Sequence, residues 1–302
     1  DALGGEEPRA LLLTHIHFDH AGAAGALVRE FPELEVWVHE RGARHLVDPG
    51  PESTSDTLLD ALGDEEPRAL LLTHIHFDHA GAAGALVRRW PDLEVWVHER
   101  GARHLADPAR LVASAKRLYG EEFDRLWGEV VPIPVKNLRV LRGGESQDGW
   151  DVAYTPGHAY HHVSYRHAAT GWVFPGDTAG VRLPPGELLL APTPPPDFDL
   201  AAWRTSIDTI EAWEPQTLAI THFGDYRDVA EHLDRLREAL AHWSELAGGT
   251  DRDGYAAALR AELAAKLDEQ AAASFAQAMP PEDQWLGIDR YRNRPRETGA
   301  TG

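Results

Sequence analysis

The stretch Thr73-His74-Ile75-His76-Phe77-Asp78-His79-Ala80-Gly81 packs three imidazoles and one carboxylate between His74 and His79. The apolar run Ala69-Leu70-Leu71-Leu72 before it reads as a buried strand, and Ala80 to Arg89 after it reads as a small-residue helix. In an extended segment, residues two apart point the same way, so His74 and His76 can reach one metal together. Asp78 and His79 fall at the turn into the helix, where they can face a second metal beside the first. Neutral imidazole and carboxylate are ligands that zinc, iron and manganese accept. The competing reading is a polar turn that is histidine-rich by chance. The rarity of His-x-His-x-Asp-His, and its place at a strand end, weigh against that.

The motif resembles the metal signature of the metallo-β-lactamase superfamily, and three later segments extend the resemblance. Thr155-Pro156-Gly157-His158, Pro175-Gly176-Asp177 and Thr221-His222-Phe223-Gly224 each place a histidine or a carboxylate after a strand. A lone histidine in a turn is usually a surface or capping residue; the full set, in this order, matches the family's ligand segments. The resemblance implies that His74, His76 and His158 hold a first divalent metal. Asp78, His79 and His222 would hold a second, with Asp177 bridging the two. Asp48 would support the ligands from behind, as outer-shell carboxylates do for metal-bound histidines. His162 falls on a supporting histidine of the family, and His161 stands where many members have glycine. His161 can line the pocket, with solvent exposure as the competing expectation. Arg182 can bind a substrate carboxylate or be a plain surface arginine. His98, His104, His167, His232 and His242 are expected to carry no role in the site.

Outward from the motif, strands and helices alternate. Strands are expected at Leu93 to His98, Leu138 to Leu141, Trp150 to Thr155, Val163 to Arg166, Gly171 to Phe174 and Thr217 to His222. Helices are expected over Pro108 to Tyr119, Gly120 to Val131 and Leu200 to Trp213, with an amphipathic one reaching about Leu246 and an alanine-rich one over Tyr255 to Ala278. The proline-rich stretch Leu183 to Asp199 reads as a long ordered loop, and Pro280 to Gly302 as a tail with Trp285 to Ile288 its only sticky piece. Ligand candidates at strand ends suit an α/β layered fold. The resemblance makes this a four-layer αβ/βα sandwich with a C-terminal helical extension.

Residues 1–48 recur at 60–107 with five differences: Gly5/Asp64, Glu30/Arg89, Phe31/Trp90, Glu33/Asp92 and Val47/Ala106. Two copies do not make a solenoid, which needs at least three units. The first copy carries its own His15, His17, Asp19 and His20. The second is preceded by the turn Val47-Asp48-Pro49-Gly50-Pro51 and runs on into the downstream ligands, which occur once. The expected division is therefore 1–46 as a catalytically silent copy of 60–105, 47–246 as the catalytic domain, and 247–302 as a helical extension and tail.

A formal net charge of −20 disfavours a nucleic-acid groove, which needs lysine and arginine stripes. With no cysteine there is neither a disulfide nor a thiolate ligand. No apolar stretch approaches a membrane span, and no signal peptide is visible, so a cytoplasmic protein is expected. The chain starts at Asp1 and its only methionine is Met279, so its start says little of targeting.

The resemblance implies metal-assisted hydrolysis. Two divalent ions, zinc in first place and iron or manganese next, about 3.5–4 Å apart can share a hydroxide that attacks an electrophilic centre. Asp78 would ligate and orient the nucleophile. The leading expectation is a binuclear hydrolase of a small thioester, ester or lactone, an anionic one being tolerated, similar to the hydroxyacylglutathione hydrolase branch. The alternatives are a mononuclear iron oxygenase resembling the persulfide dioxygenases, a phosphodiesterase or nuclease, and a non-catalytic relic of the repeat. A dimer through the C-terminal helices is open, although covering the core is the simpler use for them.

Overall fold

The computed structural model describes residues 10–11, 35–36, 45–183, 188–222 and 224–294. Most of the first copy, with its four motif residues, lies outside these, as do Phe223 and the last eight residues. From the first copy, β1 (Ala10–Leu11) and β2 (Glu35–Val36) pair in parallel with Ala10 opposite Glu35. Their counterparts β4 (Ala69–Leu71) and β5 (Glu94–His98) pair in the same register, Ala69 opposite Glu94.

Two sheets face each other. The first is all parallel, in the order β3 (His45–Val47), β4, β5, β6 (Leu138–Leu141). The second comprises β7 (Ser146–Gln147), β8 (Trp150–Tyr154), β9 (Val163–His167), β10 (Trp172–Phe174), β13 (Thr217–Ile220) and β14 (Gly224–Tyr226), ordered β14-β13-β10-β9-β8-β7. Its pairs are antiparallel except β10–β13.

Side-chain alternation along β4 explains the layering. Leu70 and Leu72 point outward to a core with Leu58 and Leu62 of α1 (Ser55–Leu62), and Leu86 and Val87 of a later helix. Ala69 and Leu71 point inward to Trp96, Trp150, Val152 and Tyr165, joining the sheets. A strand buried on both faces must be apolar throughout, which accounts for the unbroken Ala-Leu-Leu-Leu run. Behind the second sheet, Val173, Leu218 and Ile220 pack on α7 (Leu200–Glu211) and α8 (Val229–Gly249). The result is helix, sheet, sheet, helix, as the resemblance implies. Among the described residues no helix is long and apolar enough to cross a membrane.

Several elements differ from the sequence expectation. The helix expected over Ala80 to Arg89 is two, α2 (Phe77–Ala80) and α3 (Ala83–Arg89). Between them the Ala82 N–H donates to Gly50 O (2.8 Å), and Gly50 N–H donates to His79 O (3.1 Å), stitching the Asp48–Pro51 turn onto the motif. After α4 (Glu99–Ala106) and α5 (Ala109–Tyr119), the helix expected over Gly120 to Val131 shrinks to α6 (Phe123–Trp127) and stops at Gly128, whose φ is +69°. The Leu183 to Asp199 stretch is not wholly loop. β11 (Val181–Leu183) and β12 (Leu188–Leu190) form an antiparallel pair, with Leu188, Leu189 and Leu190 buried in the helix-side core. The single helix expected over Tyr255 to Ala278 is α9 (Arg252–Lys266) and α10 (Glu269–Ala278). Asp268 restarts it by accepting from the Ala271 N–H at 2.8 Å. The tail folds as α11 (Pro281–Arg292), burying Ile288 against the same core.

One stretch of the repeat adopts two conformations. His104-Leu105-Ala106 ends α4, and Asp107 follows with φ −134° and accepts from the Ala109 N–H. Its counterpart His45-Leu46-Val47 is strand β3, and Asp48 follows with φ +47°. The one difference between the copies here suits each use: β-branched valine in the strand, alanine in the helix.

Candidate metal centre

Every ligand candidate follows the C-terminal end of a strand: β4 for the histidine motif, β8 for His158, β10 for Asp177 and β13 for His222. Four short segments thereby converge on one point. Three groups of donor atoms each lie within 4.8 Å of one another: His74, His76 and His158; His74, His79 and Asp177; and Asp78, His79 and His222. His76 Nδ1 lies 2.9 Å from His74 Nε2 and 3.0 Å from His158 Nε2. Asp177 stands between the outer groups, with Oδ2 3.4 Å from His158 Nε2 and Oδ1 3.2 Å from both His79 Nε2 and His222 Nε2. Asp78 Oδ2 is 3.6 Å from His79 Nε2 and 3.9 Å from His222 Nε2.

The supporting shell is equally specific. Asp48 is buried and accepts from the Thr73 N–H (2.8 Å), the Thr73 hydroxyl (2.7 Å) and the Thr221 hydroxyl (3.3 Å), and its Oδ2 lies 2.9 Å from His79 Nδ1. It thus ties the two segments that carry His74 and His222 and orients the ring of His79. The His158 Nδ1–H donates to the Pro192 carbonyl (2.9 Å), leaving the Nε2 lone pair aimed at the centre. Gly157 lets the chain reach this position. Its φ is +137°, and a Cβ there would lie 2.3 Å from Trp203 Cβ.

The donor chemistry fits a divalent cation. His158 Nε2 and the oxygens of Asp177 and Asp78 are acceptors turned toward one another in a water-poor site, an arrangement that a cation stabilises and its absence penalises. Burial lowers the pKa of His76 to about 3, and neighbouring His158 adds to the effect, so this ring is neutral and its lone pair is available. Burial also works against charge on His79, but Asp177, Asp78 and Asp48 overcome it and raise its pKa well above the ordinary imidazole value. Burial would likewise raise the carboxyl of Asp177; His79, His222 and His158 outweigh it and hold it well below the usual range. The carboxylates of Asp177, Asp78 and Asp48 thus favour positive charge on the His79 side of the centre.

The remaining candidates divide. His162 is buried and stacks on His74 with ring centroids 5.0 Å apart; its Nδ1 lies 3.0 Å from Thr155 Oγ1 and 3.2 Å from Thr178 Oγ1. His161 is not solvent-exposed: it sits over His74 and His76, and its Nδ1 accepts from the Ile75 N–H at 3.4 Å. Arg182 is engaged elsewhere, donating to Asp228 Oδ2 at 2.7 Å with its guanidinium 4.3 Å above the Tyr226 ring. Of the histidines set aside, His98 caps α4 and stacks on Tyr154, His167 contacts Thr170, and His232 lies 2.8 Å from Ala179 O, all buried; His104 sits beside Arg103 and His242 is on the surface. The sequence reading missed the ring of threonines, Thr73, Thr155, Thr178 and Thr221. The available signal was adjacency, since three of them directly flank a ligand candidate.

The family model of the metallo-β-lactamase superfamily matches residues 1–46 and 41–222. A metallo-β-lactamase fold-containing protein from Sulfurisphaera tokodaii is 25% identical over 228 residues, covering 72% of this chain and 83% of its own. A hydroxyacylglutathione hydrolase from Legionella pneumophila (strain Corby) is 29% identical over 111 residues, 37% of this chain and 33% of its own, while one from Aeromonas salmonicida (strain A449) is 30% identical with 48% of its length matched. The chain thus spans between a third and a half of the hydrolases it matches. A metallo-β-lactamase family protein from Thermus thermophilus has the same fold, with a TM-score of 0.56 at 22% identity over 84% of each chain. With two matches that together run from residue 1 to 222, this chain belongs to the metallo-β-lactamase superfamily.

Proposed function

We propose that the chain is a binuclear metal-dependent hydrolase of a small thioester, ester or lactone. In this reading His74, His76 and His158 hold one divalent ion, and Asp78, His79 and His222 hold a second, with Asp177 between them. The observation that carries it is the convergence of seven side chains from four segments into three mutually close donor groups. Similarity to hydroxyacylglutathione hydrolases favours a thioester, on a matched portion that is a minority of their length.

Two bound divalent ions would supply an acidified water and polarise the substrate carbonyl. The protein contributes the geometry. Asp48 and the Pro192 carbonyl fix two imidazole rings from behind, so that little reorganisation is needed when charge develops. His76 and Asp78 are the two partly exposed ligands, so substrate approaches past them, with His161 beside His76. Asp78, 22% exposed at its side chain, is placed to hold the attacking water's proton.

Elemental analysis of the intact chain, paired with turnover of a hydroxyacyl-glutathione thioester, tests the proposal. Two zinc-like metals per chain and hydrolysis, both lost in His76→Ala, are expected. Retained turnover in that variant overturns it, and a single iron per chain would promote the oxygenase chemistry instead.

A further inference from the structure

The C-terminal helix α11 reaches the centre through one peptide unit. The Pro192 carbonyl that receives the His158 Nδ1–H and the N–H of Thr193 are the two ends of the same planar peptide. The Thr193 N–H donates to Oε1 of Gln284 on α11. The Thr193 hydroxyl reinforces the grip, lying 3.0 Å from Gln284 O and 3.1 Å from Gln284 Oε1. Both residues are buried, Thr193 at 3% and Gln284 at 4% exposure. The helix backbone packs closely on the next peptide along: a Cβ on Gly287 would lie 1.9 Å from Thr193 O. A planar peptide cannot turn its carbonyl without turning its N–H, so whatever fixes one end fixes the other.

We propose that Gln284 is a positioning residue for His158, holding the N–H end of the Pro192–Thr193 peptide whose carbonyl end orients the imidazole. The inference rests on the reading of His158 as a metal ligand. It gives the C-terminal helices a role beyond covering the core: they set the tautomer and ring angle of one ligand from behind.

The test is zinc affinity of the full chain, measured by competition with a chromophoric chelator, together with the visible spectrum of the cobalt-loaded protein. Gln284→Met fills the same volume without an acceptor. It is expected to lose roughly tenfold in zinc affinity, the lower end of what outer-shell losses cost, and to shift the cobalt bands. Gln284→Glu retains an acceptor and is expected to restore both. Arg260→Ala, which breaks an exposed ion pair to Glu282 on the same helix, is expected to change neither. A Gln284→Met protein with wild-type zinc affinity and cobalt bands overturns the proposal. Amide hydrogen exchange in the unaltered chain gives a readout independent of how any variant folds. Zinc is expected to slow exchange at Thr193 more than at the amides of α9, and equal slowing overturns the coupling. His158→Ala separates the two readings. Unchanged zinc binding in that variant defeats the assignment of His158 itself, whereas zinc loss there beside an unchanged Gln284→Met defeats only the role of Gln284.

Discussion

Asp48 holds two threonine segments and one imidazole from a left-handed backbone. Asparagine tolerates that conformation and keeps an acceptor; alanine does neither. Asp48→Asn is therefore expected to fold near normally while zinc affinity falls about 10–100-fold, measured by chelator competition. Asp48→Ala is expected to lose stability as well, by at least ~3 kcal/mol in urea unfolding, because buried donors are left unpaired. At this scale the ligand candidates were legible, since each stands at a strand end in a short polar motif. The neighbours that aim them were less so. The partial burial of His161 and the pairing of Arg182 with Asp228 depend on chain segments far away in sequence, and nothing local announces them.

Strands announced themselves by apolar runs buried on both faces, and the two-sheet architecture followed. Breaks inside uniform stretches did not. The alanine-rich helix splits at Leu267-Asp268 because Asp268 caps the second half, a choice that alanine on both sides conceals. Asp268→Ala is expected to cost about 1 kcal/mol in urea unfolding, the usual loss for a helix cap. The β11–β12 pair was hidden by the prolines between and after its strands, although its leucines are the more informative residues. Gly157 offers a sharper test of how elements meet. Gly157→Ala must place a Cβ against Trp203 and adopt a φ that L-residues avoid. It is expected to destabilise by about 1–3 kcal/mol from overpacking alone, read as a lowered melting temperature, and to weaken metal binding through the displaced His158.

For the molecule as a whole, metal and fold are expected to be linked. Stripping metal with a chelator should lower the melting temperature, and readdition to a hundredfold excess over Kd should return about 2.7 kcal/mol, measured by calorimetry. The edge strand β3 places Leu46 in one core and Val47 in the other, and leads straight to Asp48. A chain beginning at His45 is therefore expected to keep its metal, and one beginning at Pro51 to lose it, by elemental analysis. The repeat was plain in the sequence, but the different shape of its last residues was not, because neighbouring strands decide it. A repeated stretch of sequence is ordinarily expected to be a second instance of the same part. In this chain the tripeptide that closes a helix in one instance supplies a sheet edge in the other, and the aspartate behind it passes from helix terminus to clamp. The same letters here do not give the same shape, and the one exchange within the tripeptide, valine for alanine, suits each setting.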